Sequence, residues 1–168
     1  MAIYMSIDGP PNGSSVHGSV AVGGYQDSIK LTSLQWGRRL AVPTTPDRGF
    51  GTGVVSMNEI VVTKRLDLSS PDLFSEFTQR KFYREISFVF TKTTAGRTHT
   101  FLEFKIFDVL ISRYELSSSG DAPDETLALN YLGIEYNYMD RHQEPTGRES
   151  ERPKRVTYYL QSRETMPM

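Results

Sequence analysis

The stretch from His99 to Tyr114, HTFLEFKIFDVLISRY, decides the reading of the fold. Leu102, Phe104 and Ile106 share one parity, whereas Phe107, Val109 and Ile111 share the other. Side chains along a strand alternate between its two faces, so an apolar set that changes parity midway marks a slip or a bulge. Such a strand bends, and bent strands are what a closing barrel requires.

Neighbouring stretches repeat the pattern. Ile29 and Leu31 alternate, then the set slips near Ser33 to Leu34 and Trp36. Leu127, Leu129 and Tyr131 give way to Ile134, Tyr136 and Tyr138 across Gly133. Val54 to Thr63 is dense in Val and Ile, Ile86, Phe88 and Phe90 alternate, and Thr93 to Arg97 reads as a hairpin connection. Arg155 to Leu160 forms a last run that would close or extend the sheet. One helix is expected: Ser70 as cap, Pro71 in the first turn, Asp72 at the positive end of the dipole, then Leu73, Phe74 and Phe77 on one face. It is too short to be stable alone and must dock on a sheet. With one helix and no βαβ rhythm, the chain is expected to be mostly β, an antiparallel barrel or sandwich in a single domain over residues 1–168.

Two segments break the periodicity. Leu40 to Gly53 carries Pro43, Pro46, Gly49, Gly51 and Gly53, and a connection of about 14 residues is long for a compact domain, so it reads as a functional or mobile loop. Asp140 to Arg155 mixes five basic and four acidic residues and reads as a solvated excursion.

Composition narrows the function. The chain has 168 residues, 19 Lys and Arg against 20 Asp and Glu, and a net charge of -1. That balance argues against a protein that wraps nucleic acid through phosphate contacts. The absence of cysteine removes disulfide scaffolds, thiol nucleophiles and cysteine-based metal centres. The opening AIYMSID alternates like a strand and lacks the basic and apolar regions of a cleavable secretory signal. No run approaches the roughly 18 apolar residues of a membrane helix. The chain is therefore expected to fold in the cytoplasm and to use no membrane insertion.

No constellation points to catalysis. His17, His99 and His142 are scattered and show no ligand spacing, so no metal is expected. Gly49 to Gly53 is glycine-rich but precedes a strand, the reverse of a phosphate-binding loop. Asp121, Asp124 and Glu125 lack the alternating ligands of a calcium loop and read as a polar turn. No nucleophile elbow is present. Neither catalytic residues nor a cofactor are expected. Tyr136, Tyr138, Tyr158 and Tyr159 offer one alternative, a monomeric β-barrel binding module that stacks single-stranded nucleic acid or holds a small ligand.

Taken in order, the segments resemble the Hcp family, the haemolysin-coregulated tube proteins of bacterial type VI secretion systems. AIYMSIDG at 2–9 is similar to the family's first strand, and SIKLTSLQWG at 28–37 to its second, with the Trp36-Gly37 ending. NEIVVTK at 58–64, followed by Asp67 and SSPDL at 69–73, resembles the strand that runs into the capped helix. The fullest similarity is FDVLISRY at 107–114, Ser119-Gly120, PDETLALNY at 123–131 and IEYNY at 134–138. Asp140 to Arg155 is more charged than the family pattern, and the Val156 to Leu160 close matches it only loosely.

The resemblance implies a compact antiparallel β-barrel with one short helix packed outside, assembling as a hexameric ring. Rings of this kind stack into a tube inside a contractile sheath, under a tip spike protein, and carry small effectors. The tube is assembled in the cytoplasm and then secreted without a cleavable signal. By the same resemblance, the loop from Leu40 to Gly53 would reach the next ring, with Phe50 as its apolar anchor and Arg48 on the rim. Exposed strand edges would pair across subunits, in a heterologous contact that closes by rotation.

Overall fold

The computed structural model describes residues 1–8, 16–41, 44–45, 49–50, 54–94, 96–143 and 149–159, with the backbone alone described within 38–57, 140–143 and 149–153. The barrel strands are β1 (Ala2–Ile7), β2 (Ile29–Gln35), β7 (Ile60–Arg65), β8 (Phe82–Thr94), β9 (Arg97–Ser117) and β10 (Asp124–Asn130). Each pairs antiparallel with its neighbours in the order β10-β7-β2-β1-β8-β9, and β10 pairs again with β9, which closes the ring of strands. Outside it lie β3 (Arg38–Ala41), β4 (Thr44–Thr45), β5 (Gly49–Phe50), β6 (Val54–Met57), β11 (Gly133–Gln143) and β12 (Glu149–Tyr159), and α1 spans Ser70–Thr78. Among the described residues, no helix is long and apolar enough to cross a membrane.

Two of the three slips expected from the sequence, at Ser33 and within 99–114, are where the barrel turns, whereas the one across Gly133 is a break between strands. In β2 the register with β7 shifts between Leu31 and Ser33, and Thr32 becomes the extra residue, its hydroxyl bonded to the Thr63 carbonyl at 3.0 Å. In β9, Asp108 adopts a positive φ of 53°, and the buried set passes from Phe104 and Ile106 to Val109 and Ile111 around it. A second shift between Ala128 and Leu129 of β10 leaves Ser112 unopposed. The inward residues Met5, Ile29, Ile60, Val62, Phe88, Ile106, Leu127 and Leu129 fill the interior.

One strand serves two structures. The Leu110–Ser117 end of β9 pairs with β10 inside the barrel, whereas Leu102–Phe107 pairs with β11. The run across Gly133 is thus two strands along one edge of β9, parting at Tyr131 and Leu132. β11 then pairs with β12 from Gly133–Tyr159 to Gln143–Glu149, an eleven-residue ribbon that leaves the barrel. The excursion read at 140–155 is thus built of paired strands where it is described, with Lys154 and Arg155 exposed. The register sets Asp140 opposite Arg152 and Arg141 opposite Glu151, and opposite charges across a pair favour a ribbon over a coil. Residues 144–148, and Leu160 beyond β12, lie outside the described residues.

The connection at 40–53 also contains strands. β3 pairs with β6 (Arg38–Met57 to Ala41–Val54), and β4 with β5 (Thr44–Phe50 and Thr45–Gly49), which makes the segment a two-stranded arm. The Val54 to Thr63 run consequently breaks at Asn58-Glu59: its first part belongs to the arm and its second to the barrel.

Candidate assembly surfaces

The helix is held by a polar cluster that the sequence reading did not anticipate. Lys64 and Glu125 lie opposite each other in β7 and β10, on the inward parity of Val62 and Leu127, and both side chains are fully buried. The Lys64 ammonium reaches three acceptors: the Glu125 carboxylate, Ser70 Oγ at 2.9 Å and Asp67 Oδ1 at 2.9 Å. Ser70 Oγ donates to Glu125 Oε2 at 2.7 Å and accepts the Asp67 N–H at 3.0 Å. Tyr114 donates to the other Glu125 oxygen. Ser70 therefore does not cap the helix: the N-cap is Ser69, whose hydroxyl goes to Asp67 Oδ1 instead. Three acceptors around one ammonium satisfy its donors, the condition under which a buried charge is tolerated.

Leu73 is fully buried under the helix, and Phe77 packs against the core at ring distance from Tyr114 (6.0 Å). Phe74 departs from the expected buried face. It is 56% exposed, with one edge against Tyr114 at 5.6 Å. Glu76, on the buried side, accepts from Tyr83 Oη at 2.5 Å. Burial, followed by the adjacent carboxylate, raises the phenol pKa of both Tyr83 (Glu76) and Tyr114 (Glu125). Each phenol stays a donor.

The β11–β12 ribbon has two unlike faces. One continues the inward parity of the barrel: Ile134 and Tyr136 pack on its end, Tyr136 meeting Phe104 edge-on at 4.8 Å. Beyond it, on the same parity, Tyr138, Val156 and Tyr158 are exposed. The other face carries an ion-paired row. Lys105 lies 3.2 Å from Glu85, and Arg155 lies 3.4 Å from Glu135. Partial burial works against the Lys105 ammonium, but Glu85, Glu103 and Glu135 outweigh it and lift its pKa above the ordinary lysine value. Tyr159 stacks on Phe107 at 5.7 Å on this second face. The four tyrosines therefore divide between faces and do not form one stacking platform.

The remaining expectations separate cleanly. Arg48 lies outside the described residues, and Phe50 is described only by its backbone, opposite Thr44 in the arm. Of the turn carboxylates, Glu125 is committed to Lys64 while Asp124 stands opposite Arg65 in the barrel register. His17 sits in the loop before β2, and His99 lies opposite Lys92 in β9. Among the described residues no group of three or more potential ligand side chains could hold a metal. The buried cluster was missed because a lysine and a glutamate on inward strand positions look, in one dimension, like ordinary surface charges. Their shared parity with Val62 and Leu127 is the signal that could have found them.

Comparison with known proteins gives a consistent picture. The family model for "Type VI secretion system effector, Hcp" matches residues 4–138. No curated protein matches this chain. Among solved structures, Hcp1 from E. coli EAEC 042 superposes with a TM-score of 0.74 at 20% identity, over 95% of this chain and 99% of that one. Hcp1 from Salmonella typhimurium gives 0.73 at 19% identity, over 96% and 95%. A protein described as a type six secretion system protein gives 0.77 at 21% identity, over 95% of each chain.

Proposed function

The chain belongs to the Hcp family of type VI secretion proteins, and from that premise we propose that it is a non-enzymatic subunit of the secreted inner tube. In this reading residues 1–168 form one domain, six copies close a ring, and rings stack within a contractile sheath beneath a spike. The bore then carries small effectors, and tube and cargo leave the cell together.

The observation that supports this most directly is that β-structure extends beyond the closed barrel. The barrel is complete with six strands, yet the β3–β6 arm forms a sheet of its own and the β11–β12 ribbon, rooted on β9, runs on past the barrel. A lone two-stranded ribbon is marginal in water, so both are expected to be covered by other copies. Burying them is work that a tube subunit leaves to assembly. The arm is the element suited to reach the adjacent ring, with Phe50 as anchor and Arg48 on its rim.

Light scattering and electron microscopy of the purified protein test the reading. Rings of six support it, and a monomer that persists at high concentration overturns it. Phe50→Ala should leave single rings intact while weakening stacking. Tubes as abundant as those of wild type would remove the arm's assigned role.

A further inference from the structure

The outer wall of the barrel is covered in one place by its own chain. Residues 16–28 fold back over β1 and β2: the Gly18 N–H donates to the Asp27 carbonyl at 2.7 Å, and the Asp27 N–H to that of Val20 at 3.0 Å. The fold-back needs glycine at 18, because a β-carbon there would stand 2.1 Å from the Ser28 carbonyl oxygen. Tyr25 stacks on Tyr4 at 4.8 Å, which keeps that outward side chain from water, and Ser19 Oγ accepts the Leu68 N–H at 3.2 Å. Between this flap and the wall lies a cavity of about 560 Å³, within the range of small-molecule sites. Val20, Ala21 and Val22 line it from the flap, and Tyr4, Lys30 and Arg65 from the barrel.

The two cations are neighbours. Tyr4 stands opposite Lys30 and Leu31 opposite Lys64, so one residue along, Lys30 lies beside Arg65 in a row across β1, β2 and β7. Like charges that face each other across strands repel, and a carboxylate between them is the usual remedy. Here none serves. Asp67, the carboxylate in the cavity wall, lies 2.9 Å from Lys64 and accepts both the N–H and the hydroxyl of Ser69. Asp124 stands opposite Arg65 on its far side, and among the described residues no ion pair joins the two. Ser19 keeps its hydroxyl hydrogen to donate, since the bond from Leu68 uses only a lone pair.

We propose that this cavity binds a small amphiphilic anion, a single carboxylate or phosphate headgroup on an apolar chain. The headgroup lies between Lys30 and Arg65 and accepts from Ser19, while the chain runs along Val20, Ala21 and Val22. An anion there relieves the repulsion within the row, and the Arg65 guanidinium offers two parallel N–H donors to two of its oxygens. The apolar side separates this ligand from inorganic anions, since each methylene withdrawn from water should tighten binding about fourfold. An extended peptide cannot add here as a strand, because β2 is already paired with β1 and β7. Every contact comes from one copy of the chain, so the site goes beyond the tube-subunit reading and does not depend on it.

Calorimetric titration with decanoate, decyl phosphate, octanoate and neutral decanol, each below its micelle concentration, tests the site. Decanoate or decyl phosphate should bind one to one, and the tighter of the two identifies the headgroup. Octanoate should bind on the order of tenfold more weakly than decanoate, as the loss of two methylenes requires. Lys30→Gln/Arg65→Gln should weaken binding of the anions about tenfold or more, and decanol should bind wild type no better than the anions bind that variant. Without ligand the double variant should be at least as stable to urea as wild type, because it removes a repulsion; a clear loss of stability would contradict the reading of the row. Absence of saturable binding by both anions, decanol equal to them, or unchanged affinity in the double variant each overturns the proposal. Rings of six that bind neither anion overturn the site and leave the tube reading standing. A persistent monomer that binds them overturns the tube reading alone.

Discussion

Lys64 and Glu125 form an ion pair from which water is wholly excluded, at the place where the barrel meets its helix. Removing one member leaves the other charged and buried. Lys64→Met is therefore expected to destabilise the fold by about 3–5 kcal/mol. The Lys64→Met/Glu125→Leu double variant should lose less than the single one, because it leaves no charge in the sealed interior, Asp67 being partly exposed. Urea denaturation of the set measures this. Additive losses would show that the two side chains do not act as a pair.

The phenols of Tyr83 and Tyr114 predict how stability responds to alkali. Both pKa values are raised in the folded state, so the stabilisation is fully present below the unfolded tyrosine value, about 10, and declines as pH rises above it. For the buried Tyr83 the slope approaches about 1.4 kcal/mol per pH unit, and it is smaller for the more accessible Tyr114. Unfolding free energies between pH 8 and 11.5 should fall more steeply for wild type than for Tyr83→Phe/Tyr114→Phe. Parallel curves would refute the assignment.

Gly133 lies beneath the ring of Tyr159. A β-carbon there would come within 2.4 Å of that ring, which also stacks on Phe107. Gly133→Ala should swing Tyr159 away and cost about 1 kcal/mol through the lost ring contact, loosening the root of the β11–β12 ribbon. Hydrogen exchange should report the change as faster exchange along β12, with barrel amides unaltered.

Trp36, the single tryptophan, donates from Nε1 to Tyr131 Oη at 2.7 Å and meets Phe104 edge-on at 5.4 Å. Tyr131→Phe leaves that N–H without its acceptor and should cost about 1–2 kcal/mol. The emission maximum of Trp36 should shift with it, and an unchanged spectrum together with unchanged stability would argue against the bond.

The parity changes at Ser33 and within 99–114 were legible because each strand carries its own apolar record, and a bulge interrupts that record locally; the change across Gly133 marked the boundary between β10 and β11. The root of the ribbon was legible too, since Arg155–Tyr159 extends the sheet as its run indicated, but the arm and the outer part of the ribbon were not. Arg38–Ala41 finds Val54–Met57, and Asp140 finds Arg152, only when the chain folds back, so each strand lacks the apolar alternation that a core imposes. Phe74 was misplaced for a related reason. Helical spacing fixes which residues share a face, but the docking angle of a nine-residue helix decides how much of that face is covered.

By itself the amino-acid sequence determined bent, antiparallel β-structure, a barrel or sandwich with one docked helix, and, through the order of its segments, the Hcp family and with it the barrel. Those properties rest on local periodicity and on segment order, which are one-dimensional. Only the tertiary structure decided that Lys64 and Glu125 are interior, that β9 serves both barrel and ribbon, and that Phe74 stands exposed on the helix. These depend on which strand lies beside which, and burial is a property of neighbours rather than of any residue alone.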